Sequence, residues 1–115
     1  MTYKVVVLIR SNPKESHRAG EGIRIALGLA SGDHEVEVIL ADQAPLLLTA
    51  ELDEYIDGEL TEKFLSTLKE FIPTFYIEER SAKEVDLTDS NYGMVLLSTD
   101  EIAAKIAAAD HFAVF

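Results

Sequence analysis

A short polar stretch near the start of the chain carries residues suited to binding an anion. Residues 11–16 read Ser-Asn-Pro-Lys-Glu-Ser, between an apolar run and a helical pattern. The N-terminus of a helix offers free N–H groups and the positive end of its dipole to such a turn. The turn matches neither glycine-rich phosphate motif, so an ordinary solvated turn is the alternative. The candidate binding residues are Ser11, Asn12, Lys14, His17 and Arg18.

Carboxylates and a second base follow a later apolar run. Glu78, Glu79 and Arg80 come directly after residues 74–77. Glu78 and Glu79 are adjacent on an extended stretch, so they do not form an obvious catalytic pair. A single desolvated acid such as Glu78 could act as a general base. We therefore add Glu78 and Arg80 to the candidate binding residues and assign no catalytic residue.

The patterns required for several other chemistries are missing from the sequence. His17, His34 and His111 have no metal-ligand spacing with one another or with an acid on one helix face. The nucleophile motif G-x-S-x-G is absent. There is no cysteine, which excludes disulfides and thiolate metal sites in this chain. We predict no metal and no cofactor.

The candidate residues depend on a sheet to bring them together. The apolar runs predict strands at 3–10, 34–41, 74–77, 92–97 and 111–115. Helical spacing predicts helices over 17–31 and 59–71, with Ser16 as a cap for the first, and a last helix capped by Ser98 or Thr99. Strands alternating with helices indicate a three-layer α/β/α sandwich with a mainly parallel five-stranded sheet. In such sheets ligands bind beyond the carboxyl ends of the strands, where the candidate residues and also Asp42 and Gln43 fall.

Length and charge limit the classes of protein and partner. The 115 residues predict one domain over 1–115, and 48% hydrophobic residues indicate a globular chain. The net charge of −11 disfavours nucleic acid and anionic membranes as partners, because the summed field repels phosphate. No apolar run has the length of a signal peptide or a membrane span, so we expect a cytoplasmic protein.

Two surfaces are candidates for contact with a partner. Acids crowd the segment before Lys63, which is typical of a solvated face or of a docking surface for a basic partner; they are Glu51, Asp53, Glu54, Asp57, Glu59 and Glu62. Residues 46–48 and the pair Phe75 and Tyr76 could supply apolar surface for oligomerisation. Burial of the three leucines within the same subunit is the alternative.

The chain resembles the DsrE/DsrF family of sulfur-relay proteins, and its DsrF/TusC type most. The resemblance rests on four stretches, 4–9, 16–22, 36–42 and 109–115, which read KVVVLI, SHRAGEG, VEVILAD and ADHFAVF. It implies a small cytoplasmic protein that forms homo- or hetero-oligomers, often trimers or hexamers. In that family a cysteine just after the third strand carries sulfur towards tRNA thiolation or sulfur oxidation. The resemblance places Glu78, or an immediate neighbour, at the matching position of this chain.

Three functions remain open on these grounds. The first is a non-catalytic subunit or binding module, possibly a structural partner of a cysteine-bearing DsrE-type subunit. The second is a binding protein or enzyme for a small anion or metabolite at the rim of the sheet. The third is a structural homo-oligomer. A carboxylate cannot form a persulfide, so sulfur transfer by this chain alone is excluded.

Overall fold

A five-stranded sheet forms the centre of the computed structural model, which describes residues 2–49 and 55–115. The strands are β1 (Lys4–Ile9), β2 (Glu35–Leu40), β3 (Thr74–Glu78), β4 (Gly93–Leu97) and β5 (His111–Val114). Their order across the sheet is β4-β3-β2-β1-β5. Every neighbouring pair is parallel. The predicted α/β class, its mainly parallel sheet and its five strands are therefore confirmed.

Helices cover both faces of the sheet. They are α1 (Arg18–Ser31), α2 (Gly58–Leu68), α3 (Glu79–Ala82) and α4 (Thr99–Ala108), and a 3₁₀ helix spans Ala44–Leu48. The chain moves from β1 to β4 in one direction, then returns through α4 to β5 on the far side of β1. Because parallel crossovers are right-handed, this reversal of direction puts α4 on the face opposite to α1 and α2. The result is the predicted arrangement of three layers.

The helix ends differ slightly from the sequence predictions. Helix α1 has His17 at its N-cap, and the Ser16 hydroxyl accepts a hydrogen bond from the Arg18 N–H at 3.1 Å. Helix α4 begins with a capping box, in which the Ser98 hydroxyl accepts from Glu101 N–H and the Glu101 carboxylate accepts from Ser98 N–H. The box satisfies two N–H groups at the start of this helix.

The larger core lies between the sheet and the helices α1 and α2. We call this side of the sheet face A. Along each strand, residues that point to face A alternate with residues that point to the other side. Val7, Val38 and Phe75 are fully buried on face A. Helix α1 packs closely here because Gly22 has no side chain: a Cβ atom there would lie 2.8 Å from Ile9 Cδ1. Gly20 likewise permits the approach of Thr61 on α2. Face A is thus a two-helix core with tight contacts.

The opposite side, face B, has a smaller core. Its buried residues are Val6, Ile39, Leu97 and Ile102, with Leu8, Tyr76, Ile106 and Ala109 partly buried around them. Helix α4 contributes only Ile102 as a buried residue. Phe112 and Val114, which share this face because they pair in register with Val6 and Leu8, are exposed. Helix α4 therefore covers only part of face B, and the rest of this face is exposed to solvent.

The apolar segments proposed as oligomer surfaces lie mostly inside the subunit, which corrects that expectation. Leu47 and Leu48 of the 3₁₀ helix are buried, and so is Phe75, while Tyr76 is half-buried beside α4. Leu47, Leu48 and Phe75 belong to the core of face A, and Tyr76 packs against the core of face B. Of the predicted acidic surface, Glu51, Asp53 and Glu54 lie outside the described residues. Within the described residues, no helix combines the length and apolarity needed to cross a membrane.

Candidate functional site

The carboxyl ends of the strands form the rim at which ligand chemistry was predicted. The loop after β1 is closed by its own hydrogen bonds: the Asn12 side-chain oxygen accepts from Lys14 N–H at 2.9 Å, and its carbonyl accepts from the N–H groups of Glu15 and Ser16. Ser11 N–H bonds to the Phe115 carbonyl at 3.3 Å. Asn12 therefore shapes the turn, and Ser11 is tied to the end of β5.

His17 and Arg18 turn away from Lys14. The His17 Nδ1 atom lies 3.6 Å from the Asp57 carboxylate at the start of α2. The Arg18 guanidinium donates to the Val114 carbonyl at 3.3 Å and lies over the Phe115 ring. The three basic side chains of the predicted anion site thus have three different sets of neighbours and do not converge.

Lys14 borders a cavity of about 280 Å³ on the rim. Its ammonium lies 5.5 Å from the centre of the Tyr55 ring, and the Tyr55 hydroxyl is 3.3 Å from that of Thr49. The described lining is Lys14, Leu46, Thr49, Tyr55, Glu84, Val85, Asp86, Asp89 and Ser90. Three carboxylates against one ammonium in that lining disfavour an anion and favour a ligand with a positive charge or hydroxyl groups.

A second cavity of about 300 Å³ adjoins the first, since Thr49 and Asp89 line both. Tyr92 lies in it, with Lys69 5.4 Å from the centre of its ring. Burial raises the pKa of the Tyr92 hydroxyl, although a hydrogen bond with Ser66 opposes the shift. This cavity was not predicted from the sequence, because its walls come from separate elements, among them α2 and the loop before β4.

Glu78 sits at the junction of β3 and α3. Its side chain is 13% exposed, one oxygen accepts from the Ser81 hydroxyl at 2.8 Å, and the other lies 3.6 Å from the Arg80 guanidinium. Glu78 is in register with Leu97, on face B, whereas the two cavities open on the side of the 3₁₀ helix. Among the described residues, no hydrogen bond or ion pair joins Glu78 or Arg80 to the loop after β1. The structure therefore brings Glu78 and Arg80 together and keeps them apart from the first group.

A charged cluster in the face B layer was not predicted. The Glu37 carboxylate, 13% exposed in the middle of β2, lies 2.6 Å from Lys105 Nζ of α4 and 3.3 Å from Lys4 Nζ of β1. The contact with Lys4 is ionic, since that oxygen of Glu37 accepts no hydrogen bond. The Lys105 ammonium also lies over the Tyr76 ring, 4.2 Å from its centre. The sequence did contain a signal for this cluster, since the charged Glu37 stands between Val36 and Val38 in a buried parallel strand.

The cluster changes the titration of its members. Burial raises the pKa of the Glu37 carboxyl, but hydrogen bonds and charge from Lys105, with help from Lys4, outweigh it and hold that pKa below its ordinary value. The hydrogen bond to Glu37 raises the pKa of Lys105. Both groups are thus charged at neutral pH and link α4 to the sheet.

The fold and its rim define a small, all-parallel α/β/α domain without a thiol. The DsrE/DsrF-like family model matches residues 3–115, and the chain belongs to this family. The predicted family resemblance is confirmed. In structure the chain is similar to the YchN protein from E. coli, with a TM-score of 0.75, 16% sequence identity and coverage of 100% of both chains. At that identity the likeness concerns the fold alone. No curated protein matches the chain in sequence.

Proposed function

We propose that this chain is a non-catalytic DsrE/DsrF-type subunit that works beside a cysteine-bearing chain in a sulfur-transfer complex. The observation that carries the proposal is the lack of any cysteine in a chain that keeps the family's fold. Persulfide chemistry needs a thiolate as nucleophile and carrier. A second subunit would have to supply it.

The end of β3 supports a structural role for this subunit. Glu78, at the position that the resemblance matches with the family's cysteine, is held by Ser81 and Arg80. These contacts fix the turn from β3 into α3. The rim segment therefore keeps its shape without a sulfur-carrying group.

Exposed apolar side chains on both edge strands support assembly with other chains. Val95 and Leu96 of β4 are about half exposed, and so are Phe112 and Val114 of β5. Edge strands of this kind are protected in natural proteins by charge, proline or a covering partner. Neither strand has a proline or an acidic or lysine side chain.

The experiment that tests the proposal is native mass spectrometry of the tagged chain, purified gently from its own host. The expected result is a hetero-oligomer that contains a cysteine-bearing chain of the same family. A monomer or a homo-oligomer without such a chain would overturn the proposal. The control is the same purification with an unrelated protein of similar size and charge under the same tag.

A second candidate function is the binding of a small metabolite, which the two adjoining cavities favour. Their acidic lining suits a cationic or polyhydroxyl ligand better than the anion suggested by the sequence. A thermal-shift screen of amines, amino acids and sugars would test it, with Glu62→Gln and Glu70→Gln compared. Glu62 lines the second cavity, whereas Glu70 is not in the described lining of either cavity. A ligand shift lost in Glu62→Gln and kept in Glu70→Gln would place the ligand in the second cavity.

A further inference from the structure

A groove lies beside the edge strand β4 on face A. Its volume is about 670 Å³, and its walls come from β4 and from the chain between β3 and β4. Met94, Leu96 and Leu87 supply apolar lining. Met94 and Leu96 belong to face A, because their partners in register on β3 are Phe75 and Ile77 of the face A core. Leu96 is 52% exposed, so the groove presents apolar surface to solvent.

The main-chain edge beside the groove can accept a further strand. β4 is the last strand of the described sheet on its side, so the outer row of its N–H and C=O groups has no strand partner in that sheet. Its side chains alternate between the faces, and Val95, 46% exposed, lies on face B in register with Tyr76. A peptide that adds to such an edge pairs through its main chain, and its own side chains alternate between the same two faces.

The charges around the groove indicate what kind of strand fits it. Glu84 and Asp86 line the groove together with one base, Lys83. Residues 79–92, which connect β3 to β4, carry four acids and two bases. Within the described residues, neither Glu84 nor Asp86 belongs to an ion pair. This field favours a cationic occupant, and it disfavours a second copy of this chain, which would bring the same acids and an edge strand without charge.

We propose that the groove binds an extended segment of another protein, in which basic and apolar residues alternate and which adds to the sheet beside β4. Its lysine or arginine side chains point to face A, where their methylene stems pack on the apolar lining and their charges reach Glu84 and Asp86. Its apolar side chains point to face B and pack against Val95. This inference goes beyond the proposed function, because it concerns the peptide chemistry that β4 recognises, whether or not the bound chain carries a cysteine.

A synthetic peptide of alternating lysine and valine, labelled with a fluorophore and capped at both ends, tests the proposal. Fluorescence anisotropy measures its binding to the purified chain at low ionic strength, where charges are screened least. One control peptide has glutamate in place of lysine, and another has the same lysines and valines in two blocks. We expect only the alternating lysine–valine peptide to bind. Equal binding of either control peptide, or no binding of the alternating peptide, would overturn the proposal.

A pair of matched variants locates the bound peptide on the chain. Leu96→Lys places a like charge in the groove, and we expect it to weaken binding of the alternating peptide about ten-fold or more. The control is Leu60→Lys on α2, because Leu60 is 53% exposed and the net charge changes by the same amount. Circular dichroism of both variants checks that they fold. An equal loss of binding in the two variants would indicate a general effect of charge and would contradict a site at β4.

A milder variant tests the acidic margin without changing the apolar lining. Glu84→Gln removes one charge from an exposed side chain of the groove, and we expect binding to weaken about three-fold, as for an exposed ion pair. The matched control is Glu59→Gln on α2, which is also exposed and should leave binding unchanged. If Glu84→Gln bound the peptide as tightly as Glu59→Gln, the proposed contact between basic side chains and the groove would be wrong.

Discussion

The two faces of the sheet differ in how their helices cover them. Face A carries α1 and α2 and a large continuous core, while face B carries α4 and four buried residues. The difference follows from topology: the chain makes several crossovers in one direction and one in the other. Face A therefore provides most of the apolar burial, and face B leaves apolar side chains exposed beside a buried ion cluster.

The largest expected effect compares the same substitution on the two faces. Ile23 of α1 is fully buried on face A, and Ile102 of α4 is nearly buried on face B. We expect Ile23→Ala to lower the free energy of unfolding by about 4 kcal/mol and Ile102→Ala by about 2 kcal/mol, since the cost depends on how completely the cavity is enclosed. Chemical denaturation of both variants measures the difference. Equal losses would show that α4 packs as tightly as α1.

The same contrast explains what the sequence could predict. The continuous apolar run of β1 and the helical spacing of α1 are strong local signals, because face A needs them. The five strands and the family were predicted from local signals of this kind. The end of α2 was predicted three residues too late, because residues 69–71 continue the helical pattern but form turns before Pro73.

The candidate site was harder to predict, since it depends on side-chain directions between distant segments. Lys14 follows β1 and Glu78 is the last residue of β3, yet Lys14 borders an acidic cavity and Glu78 lies on face B. Nothing in the local sequence sets which way His17 and Arg18 turn. Their partners, Asp57 and Phe115, are brought to them only by the complete fold.

The ion cluster on face B gives the next prediction. Lys105→Met removes the hydrogen bond to Glu37 and leaves the carboxylate with Lys4 alone. We expect a loss of about 2 kcal/mol in the free energy of unfolding at pH 7, because a half-buried charge loses its closest partner. The control is Lys63→Met on α2, an exposed lysine, which should change stability little.

The pH dependence of this loss separates an ion pair from simple packing. The pKa of Glu37 is lowered on folding, so its contribution is present above the ordinary glutamate value of 4.5 and is lost as pH falls through the lower folded value. The pKa of Lys105 is raised, so its contribution is present below the ordinary value of 10.5 and is lost at higher pH. We expect the difference between wild type and Lys105→Met to be greatest between these values. A difference that stays constant from pH 7 into acid would instead indicate lost packing.

The smallest expected effect concerns the start of α4. Ser98→Ala removes the hydroxyl of the capping box, which costs about 1 kcal/mol of stability. Since α4 has few buried contacts of its own, the loss should appear locally, as faster hydrogen exchange along α4. The matched variant is Ser16→Ala, which removes the hydrogen bond to Arg18 N–H at the start of α1. Helix α1 is held by the whole of face A, so its interior amides should keep their protection. If both helices lost protection equally, the two faces would not differ in local stability, and the exposed residues of face B would need another explanation than incomplete coverage by one helix.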